Sequence, residues 1–368
     1  MIYLDYAAST PPYPQVVCLM SEIMQQSFGN PSSIHDQGRK ARVIIEEARK
    51  EISALLNVPT ASLFFTSGGS EAINTAISGC VFDLGIRNII TSEREHPAVL
   101  NAVKRMKLLV PEIKVSFVTH HDNLNVNQED LEKLAAGNSG ALVILMHANN
   151  ETGNLLPLKN VEKICRTHHA LLLSDTVQTI GKYSIDLSES GVDFATCSAH
   201  KFHGPRGAGF LYVKPGIRIN ALIQGGGQER NLRSGTENVA AIAGMAEALK
   251  ISLTDIGKKI TQVQNLKAEF VGKLKKLCPE IQFNGTSENA GLYNTLSVSF
   301  PFNEKTSALV YLLDMKGIAV SGGSACASGA IIKAEGDTSK VNVRFSFSTL
   351  TTKDEIEQVI HALSEILC

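Results

Sequence analysis

The chain has 368 residues, 43% of them hydrophobic, with 35 basic against 36 acidic side chains and a formal net charge of −1. That length can bury a large core, in one large domain or two, without disulfides or metals. The even charge balance argues against nucleic-acid binding as the main activity, because phosphate recognition shows as a basic excess. Seven cysteines at wide spacings, with no C-x-x-C pair, suggest neither a zinc knuckle nor a thioredoxin-like motif. Most of them read as small buried hydrophobes. No run of 18 apolar residues occurs, so no membrane span is expected. The opening MIYLDYAAST has no basic stretch followed by an apolar one, so no secretory signal is expected, and a reducing cytoplasm is the expected compartment.

In chain order, Ala41, Ile44, Ile45, Ala48, Ile52 and Leu55 recur at helical spacing and predict an amphipathic helix over about 36–56. SLFFTSGGSEAINTAISG then reads as strand, glycine turn, helix. RNIITS, KVSFVTH, ALVILMHANN, ALLLSDTVQT, DFATCSAH and GAGFLYV follow as strands, several of them continuous apolar runs of the kind buried on both faces. Apolar strands separated by helices imply an α/β fold, a mostly parallel sheet covered by helices. Residues 236–277 are helical by period. TLSVSF, a helix over about 305–316, GIAVSG, VNVRFSFS and a terminal helix complete the chain, and Thr352 and Glu355 form a capping box for that last helix. The expected organisation is an N-terminal segment (1–14) packing on a small domain, a large domain (15–250) and a smaller α+β C-terminal domain (251–368).

Polar clusters follow the apolar strands: SGGSE after SLFFT, EHP after IITSER, ANNETG after LVILMH, DTVQ after LLLS and SAHK after FATC. Ligands of open α/β sheets bind at the carboxyl ends of strands, so five clusters at five strand ends describe one site. Gly68-Gly69-Ser70 lies between a strand and a helix, where backbone N–H groups and the helix dipole favour a phosphate; such loops are also ordinary turns. Neither a dinucleotide fingerprint nor a Walker loop is present. Asp175, at the end of a buried run, needs a partner. That partner is either a structural cation or a protonated ring nitrogen, which an aspartate keeps charged so that the ring acts as an electron sink. Lys201 is wedged between a strand and a Gly-Pro turn. A surface lysine is the ordinary reading, and a desolvated Schiff-base lysine is the functional one. Cys326 stands among Gly and Ser in VSGGSACASGA, a setting for a reactive thiol rather than a core cysteine.

S-x-H-K-x-x-G-P-[KR]-G, together with D-x-x-Q and H-x-N-N-E-x-G, resembles the pyridoxal 5'-phosphate (PLP)-dependent cysteine desulfurases of the class V aminotransferase group. LDYAASTP, FGNPSSIHDQGR, TSGGSEAIN, EHPAVL, RSGTEN and SGGSAC extend the resemblance almost end to end. It implies a fold type I PLP-transferase. By the same resemblance Lys201 would hold PLP covalently, Asp175 would pair with the ring nitrogen and Gln178 with the ring oxygen. His96 would stack on the ring and serve in proton transfer. Gly69, Ser70, Ser198 and His200 would bind the phosphate, and Thr236 would reach the phosphate of the opposite subunit of a homodimer. Asn150 and Arg344 would fix the substrate carboxylate, and Cys326 would take sulfur from L-cysteine as a persulfide for an acceptor protein, an iron–sulfur scaffold or a thiolation protein. A selenocysteine lyase, a cysteine-sulfinate desulfinase and an idle sulfur-transfer scaffold share much of this signature. No metal, nucleic acid or membrane is implied. The chain departs from the pattern in two places. Arg344 follows Cys326 by only 18 positions, and after VRFS an apolar residue and Gly-Arg give way to Phe347, Ser348 and Thr349.

Overall fold

The computed structural model describes residues 1–322 and 340–367. In chain order the elements are β1 (Ile2–Tyr3), α1 (Pro14–Gln26), α2 (Asp36–Leu55), β2 (Leu63–Thr66), α3 (Gly69–Phe82), β3 (Asn88–Thr91), α4 (Pro97–Leu109), β4 (Lys114–Phe117), α5 (Gln128–Gly137), β5 (Leu142–Ile144), α6 (Leu158–Thr167), β6 (Leu171–Ser174), β7 (Phe194–Ser198) and β8 (Gly209–Val213), followed by α7 (Val239–Leu253), α8 (Ile256–Leu277), β9 (Gln282–Phe283), β10 (Thr295–Pro301), α9 (Leu309–Met315), β11 (Ile318–Ala319), β12 (Ser321–Gly322), β13 (Lys340–Ser346) and α10 (Lys353–Leu367).

Seven strands form one sheet in the order β2-β8-β7-β6-β5-β3-β4. β8 runs antiparallel to both its neighbours, and every other adjacent pair is parallel. The expected mostly parallel, helix-covered sheet is therefore present. Its inner strands are largely apolar because both faces are covered. Ile89, Leu142, Ile144, Leu173, Phe194 and Leu211 face one core with Ile73 and Ile77 of α3 and Val99 and Val103 of α4. Their neighbours Ile90, Val143, Leu172, Ala195 and Phe210 face the other, with Ile45 and Ile52 of α2 and Val161 of α6. Alternation of side-chain direction along each strand thus sorts contiguous hydrophobes into two layers.

A second sheet, antiparallel, has the order β12-β13-β10-β9 and packs its own core. Phe345 and Phe347 pack on Phe270 of α8, at centroid distances of 5.0 and 5.7 Å, beside Ile356, Val359 and Leu363 of α10. The capping box of α10 is formed: Thr352 N donates to Glu355 Oε2 at 2.8 Å and Glu355 N to Thr352 Oγ1 at 3.2 Å. The stretch read as helical by period over 236–277 holds two helices, and between them Asp255 takes φ 53°. The helix expected over 305–316 covers only Leu309–Met315. The turn before it, Thr306–Ala308, is 3-10 helix, capped reciprocally by Asn303 N on Thr306 Oγ1 at 2.8 Å and Thr306 N on Asn303 Oδ1 at 2.9 Å. No described helix is long and apolar enough to cross a membrane.

The N-terminal segment joins the two sheets. Ile2–Tyr3 pair in parallel with Ile318–Ala319, Ser346 N donates to Leu4 O at 2.7 Å, and Thr10 N to His200 O at 2.9 Å. The segment therefore runs from β11 and β13 across to the loop after β7.

A buried ion pair anchors a strained turn in the large sheet's surroundings. Arg49, 1% exposed, binds Glu229 through both terminal nitrogens at 2.7 and 2.8 Å, donates to Leu63 O at 2.8 Å and lies 4.5 Å over the Phe65 ring. Glu229 also accepts from Phe65 N at 2.7 Å. Glu229, Arg230 and Asn231 take φ of 46°, 56° and 68°, a left-handed conformation disfavoured for each of them. Removing one partner strands a buried charge, so Arg49→Met is expected to cost about 3–5 kcal/mol. A thermal melt followed by circular dichroism should show a midpoint several degrees lower, and R49M/E229Q should recover part of the loss. An unchanged R49M midpoint refutes the anchoring role.

Candidate active site

The carboxyl ends of the parallel strands open on a cavity of about 440 Å³. Gly69, Ser70, His96, Asn150, Asp175, Gln178, Ser198, His200, Lys201 and Arg344 all line it, with Ala7, Ala8 and Glu151. Ten of the twelve residues singled out in the sequence therefore line one cavity. Thr236 is exposed and is not among the lining residues. Cys326 lies outside the described residues.

One end of the cavity is built to receive an anion. Gly68, at φ 152°, turns the chain from β2 into α3. At Gly69 a Cβ would fall 2.6 Å from Val177 Cγ2, so a side chain there would push α3 away from the loop after β6. The N–H groups of the first turn of α3 have no acceptor within the helix and carry the positive end of its dipole. Ser198 ends β7, and His200 follows it with its pKa held down to about 4 by burial, reinforced by Lys201 and Arg206. Arg233 Nε binds Glu71 Oε1 at 3.0 Å, and Glu71 Oε2 accepts from Ser67 N at 2.8 Å, so the segment leading to Thr236 is tied to the start of α3.

The opposite wall is electrostatic. Asp175, 8% exposed, accepts from Val177 N at 3.0 Å and from Thr196 Oγ1 at 3.2 Å, both on Oδ1. Its Oδ2 is left as the oxygen for a ligand. His96 is the N-cap of α4, and its Nδ1 accepts from Ala98 N at 3.1 Å. A backbone N–H can only donate, so the neutral ring carries its proton on Nε2. Burial lowers the His96 pKa, opposed by Asp175 and reinforced by Lys201. Behind His96, the buried Glu95 accepts from Met146 N at 2.8 Å and so ties the His96 loop to the end of β5; burial raises its pKa well above the usual carboxylate range.

Lys201 Nζ donates to Ala7 O at 2.8 Å and to Ala8 O at 3.0 Å. Gln178 Nε2 donates to the same Ala7 O at 3.0 Å. Arg344, 3% exposed, reaches the cavity from β13 of the second sheet. Its Nη1 donates to Asn150 O at 2.8 Å and Glu151 Oε1 at 3.1 Å, and its Nη2 to Asp5 Oδ1 at 2.9 Å and Ser321 Oγ at 3.0 Å. Asn150 Nδ2 donates to Glu151 Oε1 at 2.8 Å, and burial raises the Glu151 pKa against the pull of Arg344. The fork of Arg344 is thus held at the cavity by groups from three separate stretches of chain.

The structure accounts for the departure after VRFS. Phe347 fills the second core, as an apolar residue there should. Ser348 meets His203 Nε2 at 3.0 Å, while His203 Nδ1 lies 2.8 Å from Pro11 O. A carbonyl only accepts, so Nδ1 carries the proton and Ser348 donates to Nε2. The serine therefore ties the end of β13 to the loop carrying Lys201 and to the N-terminal segment.

Sequence reasoning missed Asp5, Glu151, the two alanine carbonyls, Lys182 and Glu95. Asp5 and Glu151 sit inside stretches that carried the resemblance, LDYAASTP and NNETG; nothing local marks the alanine carbonyls or Lys182.

The model of the class V aminotransferases matches residues 2–359. The chain is 38% identical to cysteine desulfurase IscS of Dictyoglomus turgidum over 376 aligned positions, covering all of this chain and 94% of that one. It is 35% identical to putative cysteine desulfurase IscS 1 of Bacillus subtilis, covering all of this chain and 98% of that one. Among solved structures, a NifS-like protein superposes with a TM-score of 0.92 at 35% identity, covering 100% of this chain and 99% of the other. A NifS-like protein from Rickettsia africae gives 0.89 at 32% identity, with the same coverage.

Proposed function

The chain belongs to the class V aminotransferase family, and from that membership we propose that it is a cysteine desulfurase, converting L-cysteine to L-alanine and passing the sulfur to its own Cys326. The observation that carries this reading is the convergence of Lys201, Asp175, His96 and Arg344, from four separate segments, on one cavity.

The residues fit PLP. The start of α3 with Ser198 and His200 suits a phosphate, Asp175 Oδ2 a protonated ring nitrogen, Gln178 a ring oxygen, the His96 ring a stacked aromatic face, and Lys201 a covalent link. When bound, the cofactor supplies an electron sink for charge developing at the substrate Cα. Each protein group then has a defined task. Arg344 and Asn150 hold the substrate carboxylate, which takes the place of present acceptors of the Arg344 fork. Lys201, freed from the link, holds and returns the Cα proton. His96, as the Nε2–H tautomer, packs over the ring and offers a donor. The Cys326 thiolate attacks the substrate sulfur: an S–S bond forms, the Cβ–S bond breaks with its electron pair remaining on carbon, and a proton at Cβ completes alanine. The product on the enzyme is a persulfide, which an acceptor protein of iron–sulfur or thiolation chemistry then consumes. Thr236, exposed and tied through Arg233 and Glu71 to the start of α3, would serve the phosphate of a second subunit, and a homodimer is part of the proposal.

The test is direct. Purified protein loaded with PLP should turn yellow, and on addition of L-cysteine should release alanine and acquire one labile sulfur per Cys326 thiol before reductant is added. Yellow protein that yields pyruvate or no alanine sinks the desulfurase reading.

A further inference from the structure

Lys182 is buried, 4% exposed, and the mechanism above does not use it. It follows Gly181, whose φ of 78° and close packing on Phe202 turn the chain back under the cavity. Its Nζ donates to Gln178 Oε1 at 2.8 Å. The other end of the same amide, Gln178 Nε2, donates to Ala7 O at 3.0 Å, the carbonyl that also receives Lys201 Nζ.

The polarity of these partners is fixed. An ammonium only donates and a carbonyl only accepts. Both ends of the amide therefore select one orientation, oxygen toward Lys182 and nitrogen toward Ala7. An amide nitrogen has two hydrogens. One is used on Ala7 O, and the other remains for a ligand in the cavity that Gln178 lines.

We propose that Lys182 is a positioning residue that holds the Gln178 amide with its N–H group, not its oxygen, toward the cofactor's ring oxygen. The proposal rests on the PLP reading above. A buried lysine is costly, and an apolar side chain of the same length would be better tolerated by the core. Burial, reinforced by Lys201 and Arg344, lowers the Lys182 pKa to about 7. The contact to Gln178 gives the buried lysine a task.

The experiment compares Lys182→Met, which removes the donor, with Lys182→Gln, which removes the charge but can still donate. Each protein is loaded with PLP, and the visible absorption band is titrated with pH. A hydrogen bond to the ring oxygen favours its anionic form. Its loss in K182M is expected to raise the titration midpoint by about one pH unit, the worth of one net hydrogen bond. K182Q should return most of the shift. Gln178→Leu should shift the midpoint as K182M does, and the double variant K182M/Q178L no further, because Lys182 acts through Gln178. Equal shifts in K182M and K182Q, additive shifts in the double variant, or no shift in K182M overturn the proposal. Should K182M fail to fold, a K182Q midpoint raised as far as that of Q178L overturns the proposal. A wild-type protein that forms no visible band on loading refutes the cofactor reading instead, and so separates the two failures.

Discussion

Lys201→Ala is expected to lower the rate of alanine formation by at least about 10³-fold, since one side chain is asked both to hold the cofactor and to move the Cα proton, and positioned proton transfer alone contributes about 10²–10⁴. The fold should survive the change. Lys201 donates to the backbone carbonyls of Ala7 and Ala8, and Ala7 O keeps its bond from Gln178 after the lysine is gone. The variant should bind PLP without a covalent link. Borohydride reduction of the wild type, followed by peptide mass mapping, should place the label on Lys201. Lys182 is the nearby alternative, but its Nζ points to Gln178 Oε1. Label on Lys182, or a variant that keeps the wild-type rate, removes Lys201 from its role.

Cys326→Ala is expected to lose alanine release from L-cysteine by a comparable factor while keeping every contact that holds cofactor and substrate, because Lys201, Asp175, His96 and Arg344 are untouched. The attacking species is a thiolate, and a free cysteine with a pKa of roughly 8.5 is only a few per cent ionised at neutral pH. Three of the other cysteines cannot substitute. Cys80, Cys165 and Cys197 are buried, and burial raises the pKa of each, that of Cys165 to about 12. The measurement is paired: the spectral change on cysteine addition, which should persist, and alanine with protein-bound sulfur, which should vanish. L-selenocysteine, with a better leaving group, should retain part of its turnover in the same variant. Alanine release at the parent rate from C326A shows that sulfur leaves without a covalent protein intermediate.

The large sheet and much of its site were legible because the relevant signals are contiguous. An apolar run and the polar cluster after it are one stretch of sequence, and the geometry of parallel sheets brings all such strand ends to the same edge. Gly69, His96, Asn150, Asp175 and Lys201 were found that way, and the capping box of α10 because its two members are three residues apart. Helix limits were less legible where the backbone changes its type within one hydrophobic pattern: the 3-10 turn Thr306–Ala308 precedes α9, and the left-handed Asp255 splits a pattern whose hydrophobic period runs on through the break.

The sequence by itself determined the strand-end chemistry, the two-faced sheet and the family resemblance, since each is written in spacing over a few residues. Only the tertiary structure decided how Arg344 is held. Its partners Asp5 and Glu151 are 339 and 193 positions away, and they meet it because the N-terminal segment pairs with β11 and β13 and carries Asp5 to the cavity. The same holds for Arg49 and Glu229, 180 positions apart, and for the alanine carbonyls under Lys201, which no side chain advertises. Contacts of this kind depend on how two sheets are docked, and docking is set by the shape of whole buried faces, to which no single residue spacing corresponds.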